Sequence, residues 1–206
     1  MRQYGPARII CSLAFTAALF LLISAVSRYL MLESFAAEDL GKLTGAEKYD
    51  VFRTGTLYDI RAFTLTFSPF LLIMLIGSAL RSPRTVGTAF TAGGVITVFA
   101  LTVFSVINFY FYRTYNSYID VFIFSAFDED AVAVMKTVIH DYPLGKGLIA
   151  LFLGLILLIF VFRKADRLFS SARLPWNTGA SWGKALAGVV VIAVIAVYAV
   201  GTRGSL

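Results

Sequence analysis

Long uncharged apolar runs alternate along this chain with shorter charged stretches. Residues 9–27 carry no charge and are closed by Arg28, and residues 62–80 carry none and are closed by Arg81. No charge lies between Arg84 and Arg113, none in residues 147–162, and none in residues 185–202. A hydrocarbon core of roughly 30 Å takes about 20 helical residues at about 1.5 Å each. The pattern therefore predicts five transmembrane helices, at about 9–28, 61–80, 86–112, 147–162 and 185–202. The fourth is short, and its flanking Lys146 would snorkel to the interface. A cleaved signal peptide competes for the first run, because Ala25-Val26-Ser27 spaces small residues suitably. Signal cores, however, run to only about 7–15 residues. Pro69 lies inside the second span, where it would kink the helix and free a carbonyl for a Ser or Thr hydroxyl or a neighbouring helix. Arg81-Ser-Pro-Arg84 leaves room only for an antiparallel return. Gly87, Gly93 and Gly94 would let another helix approach the third span closely.

Two polar segments separate the runs. In residues 33–58, Gly41, Gly45 and Gly55 are expected to break the chain into at most one or two short surface helices. Residues 113–145 are too charged to span. An aromatic cluster leads into them, and Tyr110, Tyr112, Tyr115 and Tyr118 are expected as anchors at headgroup level, as are Trp176 and Trp182 after the fourth span. Asp128, Glu129 and Asp130 suit a helix N-terminus, which is a commoner role for such a cluster than a cation site, and Pro143 suits a stop. Ala131, Val134, Met135, Val138 and Ile139 share one helical face between them. The expected fold is all-α: a polytopic membrane domain over residues 1–206, with five transmembrane helices and an amphipathic interfacial helix on the outer face.

Composition agrees. Of 206 residues, 59% are hydrophobic and 15% charged, with mean hydropathy +0.81, where a soluble domain carries roughly 25% charge. The net charge of +6 does not point to nucleic acid, since the basic residues sit between apolar runs and no nucleic-acid motif is present. It reads as topology. With the N-terminus in the cytoplasm, residues 1–8, 81–85 and 163–184 hold nine of the 18 basic residues and one acid, Asp166. The opposite side then takes 11 of the 12 acidic residues. This fits the positive-inside rule. The expectation is a multi-pass protein of the bacterial inner membrane with a periplasmic or extracellular C-terminus.

Chemistry is sparse. Cys11 and His140 are the only residues of their kinds, which excludes an intrachain disulfide and gives little support to a metal site. Phosphate-loop, dinucleotide-binding, HExxH and CxxC motifs are absent. No charge lies inside a span, which argues against an ion-coupled transporter. No catalytic residue and no metal ligand can be assigned. What remains is a set of outer-face groups suited to a phospholipid headgroup: Arg61, Arg113, Lys136 and Lys146, with Asp59 beside them. Arginine forks match phosphate oxygens. Ordinary interfacial anchoring is an equal reading for each alone. Asp59 and Arg61 are two residues apart and would not face each other on a helix, so each is expected to find another partner.

The stretch GTLYDIRAF entering the second span resembles the N-terminal membrane region of the lipoteichoic acid synthase and phosphoglycerol transferase family. So do the third span leading into NFYFYRTYNSYIDVF, DEDAVAVMKTVIHDYP, and the closing RGSL. The resemblance covers essentially the whole chain. It implies five N-terminal spans followed by an extracytoplasmic domain of the sulfatase and alkaline phosphatase type, which uses a threonine nucleophile and a divalent metal, often manganese. That domain would move phosphoglycerol or a similar headgroup from a lipid. The sequence stops where the family continues into it, so those groups fall on no residue here. The implied partners are membrane phospholipids and the protein's own C-terminal periplasmic domain. Two other readings stay open: the membrane domain of a phosphoethanolamine transferase, and a stand-alone, non-enzymatic membrane protein that binds lipid or a partner.

Overall fold

The computed structural model describes residues 6–117 and 144–171. The expected interfacial helix, the fifth span, Tyr118, Lys136, Trp176 and Trp182 lie outside the described residues. Of the described residues 94% are helical and none forms a strand, which settles an all-α architecture for this part. The helices are α1 (Pro6–Phe35), α2 (Ala37–Lys42), α3 (Gly45–Ala79), α4 (Pro83–Tyr115) and α5 (Leu144–Ser171). Four of them, α1, α3, α4 and α5, are long and apolar enough to cross a membrane.

The segment 33–58 departs from expectation. It is almost entirely helical, because α1 runs on past Arg28 to Phe35 and α3 starts at Gly45. The start is fixed by a reciprocal cap. The Thr44 hydroxyl accepts from the Glu47 N–H, and the Glu47 carboxylate accepts from the Thr44 N–H at 2.7 Å, satisfying two donors that a helix start leaves open. Neither Gly41 nor Gly55 breaks a helix: Gly41 lies within α2 and Gly55 within α3. Helix α3 has 35 residues, about 50 Å at the usual rise. It thus outruns a hydrocarbon core by roughly 20 Å.

Helices α1 and α4 each pack against both α3 and α5. Lipid tails are as apolar as leucine, so helix association in a membrane rests on close packing rather than on escape from water. Helix α4 provides that packing through neighbouring glycines. A Cβ on Gly93 would lie 2.4 Å from the Phe70 ring of α3, and one on Gly94 would lie 2.1 Å from the Phe162 ring of α5. Each ring occupies the space its glycine leaves. Phe162 also meets Phe15 and Phe90 edge-on, at 5.5 and 5.4 Å between ring centroids. On the other side Phe20, Phe63 and Phe67 form a run, with Phe63 and Phe67 stacked at 5.3 Å. Such ring pairs contribute about 0.5–1.5 kcal/mol each beyond buried area. Leu72, Ile76, Leu148 and Phe152 face outward, as a hydrocarbon-facing surface requires.

Pro69 lies in α3 and cannot donate to the Leu65 carbonyl. The Ser68 hydroxyl donates to that carbonyl instead, at 3.2 Å. The connection from α3 to α4 is as tight as the sequence implies. Ser82 N–H donates to Gly77 O at 2.8 Å. Arg81 takes a left-handed conformation with φ of 55°. Ser82 then caps α4, whose first residue is Pro83, the position where a missing N–H costs nothing.

Candidate functional site

The charged groups of the bundle collect at its two ends. At the end reached by Arg28, that guanidinium leaves α1 and donates to the Asp59 carboxylate of α3 and to the Phe52 carbonyl. Both side chains are about four-fifths buried, at 19% and 20% exposed. The guanidinium lies over Gly55, where a Cβ would approach it to 2.3 Å. Gly55 is therefore the seat for a charge that would otherwise hold α1 and α3 apart. Asp59 is engaged by Arg28, and its role here is to tie two helices together. Arg61 turns away from it, with its guanidinium 5.4 Å from the centre of the Tyr58 ring, a cation–π distance.

Arg113 is exposed in the last turn of α4, where the helix dipole favours a cation. Lys146 is exposed in the first turn of α5. Of the expected anchors, Tyr115 is exposed, and its ring lies 4.7 Å from that of Phe111. Tyr110 contacts Phe109 edge-on at 5.8 Å. Tyr112 packs instead on Phe35 at 4.9 Å, and Phe109 lies against the same ring at 5.2 Å. Phe35 thus locks the extension of α1 to the end of α4, a role that its place in a polar segment conceals. Thus Arg61, Arg113 and Lys146 share one end of the bundle with three of the tyrosines, and Asp59 is there as a helix tie.

Beyond the apolar part of α3 at this end, the Thr44 backbone N–H holds the Glu47 carboxyl below its usual range. The hydrogen bond and negative charge of Glu33 push the Tyr29 phenol up.

The opposite end holds a second ion pair. Arg8 of α1 donates to Asp166 of α5 at 2.5 Å and to the Pro83 carbonyl at 3.3 Å. Arg8 is 8% exposed, and a Cβ on Gly87 would come within 2.6 Å of its guanidinium. One arginine thus joins α1, α4 and α5 across a glycine notch. The sequence carries a signal for this pair: Asp166 is the lone acid among nine basic residues on the side expected to be cytoplasmic.

Among the described residues no three His, Cys, Asp or Glu side chains come together. The manganese chemistry implied by the family resemblance therefore has no donor set among them. Comparisons with protein-family models, with curated proteins and with solved structures returned no match to this chain.

Proposed function

We propose that this chain is the membrane anchor and lipid-presenting part of a lipoteichoic acid synthase-like transferase. Phosphoglycerol or a similar headgroup would be moved from a lipid on the periplasmic or extracellular face by an extracytoplasmic domain with a divalent metal. In this reading the protein sits in a bacterial inner membrane with its N-terminus in the cytoplasm. The Arg28 end then faces outward and the Arg8 end inward. The observation that carries the proposal is the rigid outer platform. Arg28, Asp59 and the Phe35 contacts fix α1, α3 and α4 to one another where Arg61 and Arg113 stand. Cations on a fixed frame hold a phosphate in one place, and holding the substrate there raises its effective concentration at a tethered catalytic domain. The motif resemblance supplies the reaction class.

The test has two parts. Intact mass of the native protein, extracted from its own membranes, should exceed 22.6 kDa by a catalytic domain. A native mass equal to this chain would overturn the transferase reading. Arg61→Ala/Arg113→Ala should weaken phosphatidylglycerol binding at the outer face of the full protein by roughly thirtyfold, at about 1 kcal/mol per basic residue. Unchanged binding would remove these residues from the proposal.

A further inference from the structure

A cleft of about 560 Å³ lies between α4 and α5 at the Arg8 end, opposite the end that holds Arg61, Arg113 and Lys146. Its length is mainly apolar, walled by Ala92, Val95 and Ile96 of α4 and Ile159 of α5, with Thr88 and Thr91 of α4 nearer the head. Its head is charged, lined by Arg84, Arg163 and Asp166. The Asp166 charge is taken up by Arg8, which is buried against it. Arg84 and Arg163 are exposed and have no hydrogen-bond or ion-pair partner among the described residues. The head of the cleft therefore carries two uncompensated guanidinium groups. Helix α4 begins there, so the positive end of its dipole adds to the same field. From Arg84 to Ile96 the cleft follows α4 for about 18 Å at the usual rise. That depth is close to one leaflet, half of a roughly 30 Å core.

A cationic head continuous with an apolar groove one leaflet deep has the outline of an anionic lipid. We propose that this cleft binds one anionic glycerophospholipid of the leaflet at the Arg8 end, the cytoplasmic leaflet in the orientation proposed above. Arg84 and Arg163 hold its phosphate, and one acyl chain lies along Ala92, Val95 and Ile96. Basic pockets between transmembrane helices are suited to anionic headgroups. A zwitterionic choline lipid would set its ammonium against two guanidinium groups, so the site selects for net negative charge. It does not depend on the outer-face site.

The experiment is native mass spectrometry of the full chain in mild detergent, titrated with phosphatidylglycerol and, separately, phosphatidylcholine. The wild type is expected to retain one tightly bound phosphatidylglycerol that Arg84→Ala/Arg163→Ala loses, with at least a tenfold fall in apparent affinity. Phosphatidylcholine binding should stay unchanged, and Arg61→Ala/Arg113→Ala should keep that lipid. Ile96→Trp fills the groove from an exposed position without touching charge, and it should weaken phosphatidylglycerol binding to a similar degree. Circular dichroism of each variant checks that it folds. Folded variants that bind phosphatidylglycerol like the wild type would overturn the proposal. So would high-yield cross-linking in membranes, in a Cys11→Ser background, between Thr91→Cys and a cysteine within residues 185–202, because the occupant would then be the chain itself.

Discussion

Arg8 and Asp166 are 158 residues apart in sequence and form an ion pair that joins the first described helix to the last. Removing one member of such a pair strands a buried charge, which costs about 3–5 kcal/mol in a fully buried setting. Asp166 is 23% exposed, which lowers the expectation for Asp166→Ala to about 2 kcal/mol. Arg8→Met/Asp166→Leu should recover most of it, since two apolar groups leave no charge behind. Unfolding in mixed micelles reads both. An Asp166→Ala protein as stable as the wild type would show that the pair is not a structural tie.

Gly94 and Gly41 should respond in opposite ways to alanine. At Gly94 the new methyl meets the Phe162 ring, which is fully buried and has no room to swing. Overpacking of this kind costs about 1–3 kcal/mol, and adding Phe162→Leu should relieve part of it. At Gly41 nothing lies within 4 Å, so alanine should favour the short helix α2 by up to about 1 kcal/mol. Equal effects of the two substitutions on thermal stability would contradict the packing described for α4.

Glu47 ties the start of α3 to pH. Its carboxyl is held below its usual range by the Thr44 backbone hydrogen bond. A depressed acid favours the folded form above its unfolded pKa, and that contribution is lost as pH falls through the folded value. The first turn of α3 should therefore fray as pH falls below the ordinary glutamate range, seen as faster amide exchange at residues 46–49. Glu47→Gln can still form the reciprocal cap but does not titrate. Its exchange rates, corrected for intrinsic chemistry, should stay flat over that range. A wild-type helix start that is equally flat would show that the ionised carboxylate holds this turn no better than a neutral acceptor does.

Ser68 should matter because of Pro69. Ser68→Ala leaves the Leu65 carbonyl without its 3.2 Å donor, at a cost of about 0.5–1 kcal/mol for a hydrogen bond in a membrane. Ser68→Ala/Pro69→Ala restores a backbone donor and should recover it. If the single variant is as stable as the wild type, another group must serve that carbonyl.

The helical class and four of the long apolar helices were legible from charge-free runs, because a helix crossing hydrocarbon must satisfy its backbone internally and avoid charge. The helix ends were not. Runs without charge mark where the hydrocarbon ends, whereas α3 begins 16 residues before the expected start at 61, at the Thr44 and Glu47 cap. That cap is a local sequence signal which the three glycines of the segment overshadowed. The position of Arg61, Arg113 and Lys146 towards one end of the bundle was legible because a charge at a span boundary faces the interface, whereas their hold on a lipid headgroup is a proposal. The partner of Asp59 was not, since Arg28 lies 31 residues away in sequence, and only the notch at Gly55 lets the two meet. The role of Phe35 was hidden for a similar reason: its contacts are with α4, beyond any local pattern.

The two seated arginines of α1 have a further consequence. Arg8 and Arg28 are twenty residues apart on one unbroken helix, or about 30 Å. Each is held by a carboxylate and seated over a glycine, so neither can snorkel as a free lysine would to suit a thinner or thicker bilayer. The bundle has a fixed hydrophobic thickness, and any mismatch must be taken up by the lipid around it or by tilting of the whole bundle. Such a protein has a preferred bilayer. It should accumulate where the acyl chains match its span and be least stable where they fall short of it.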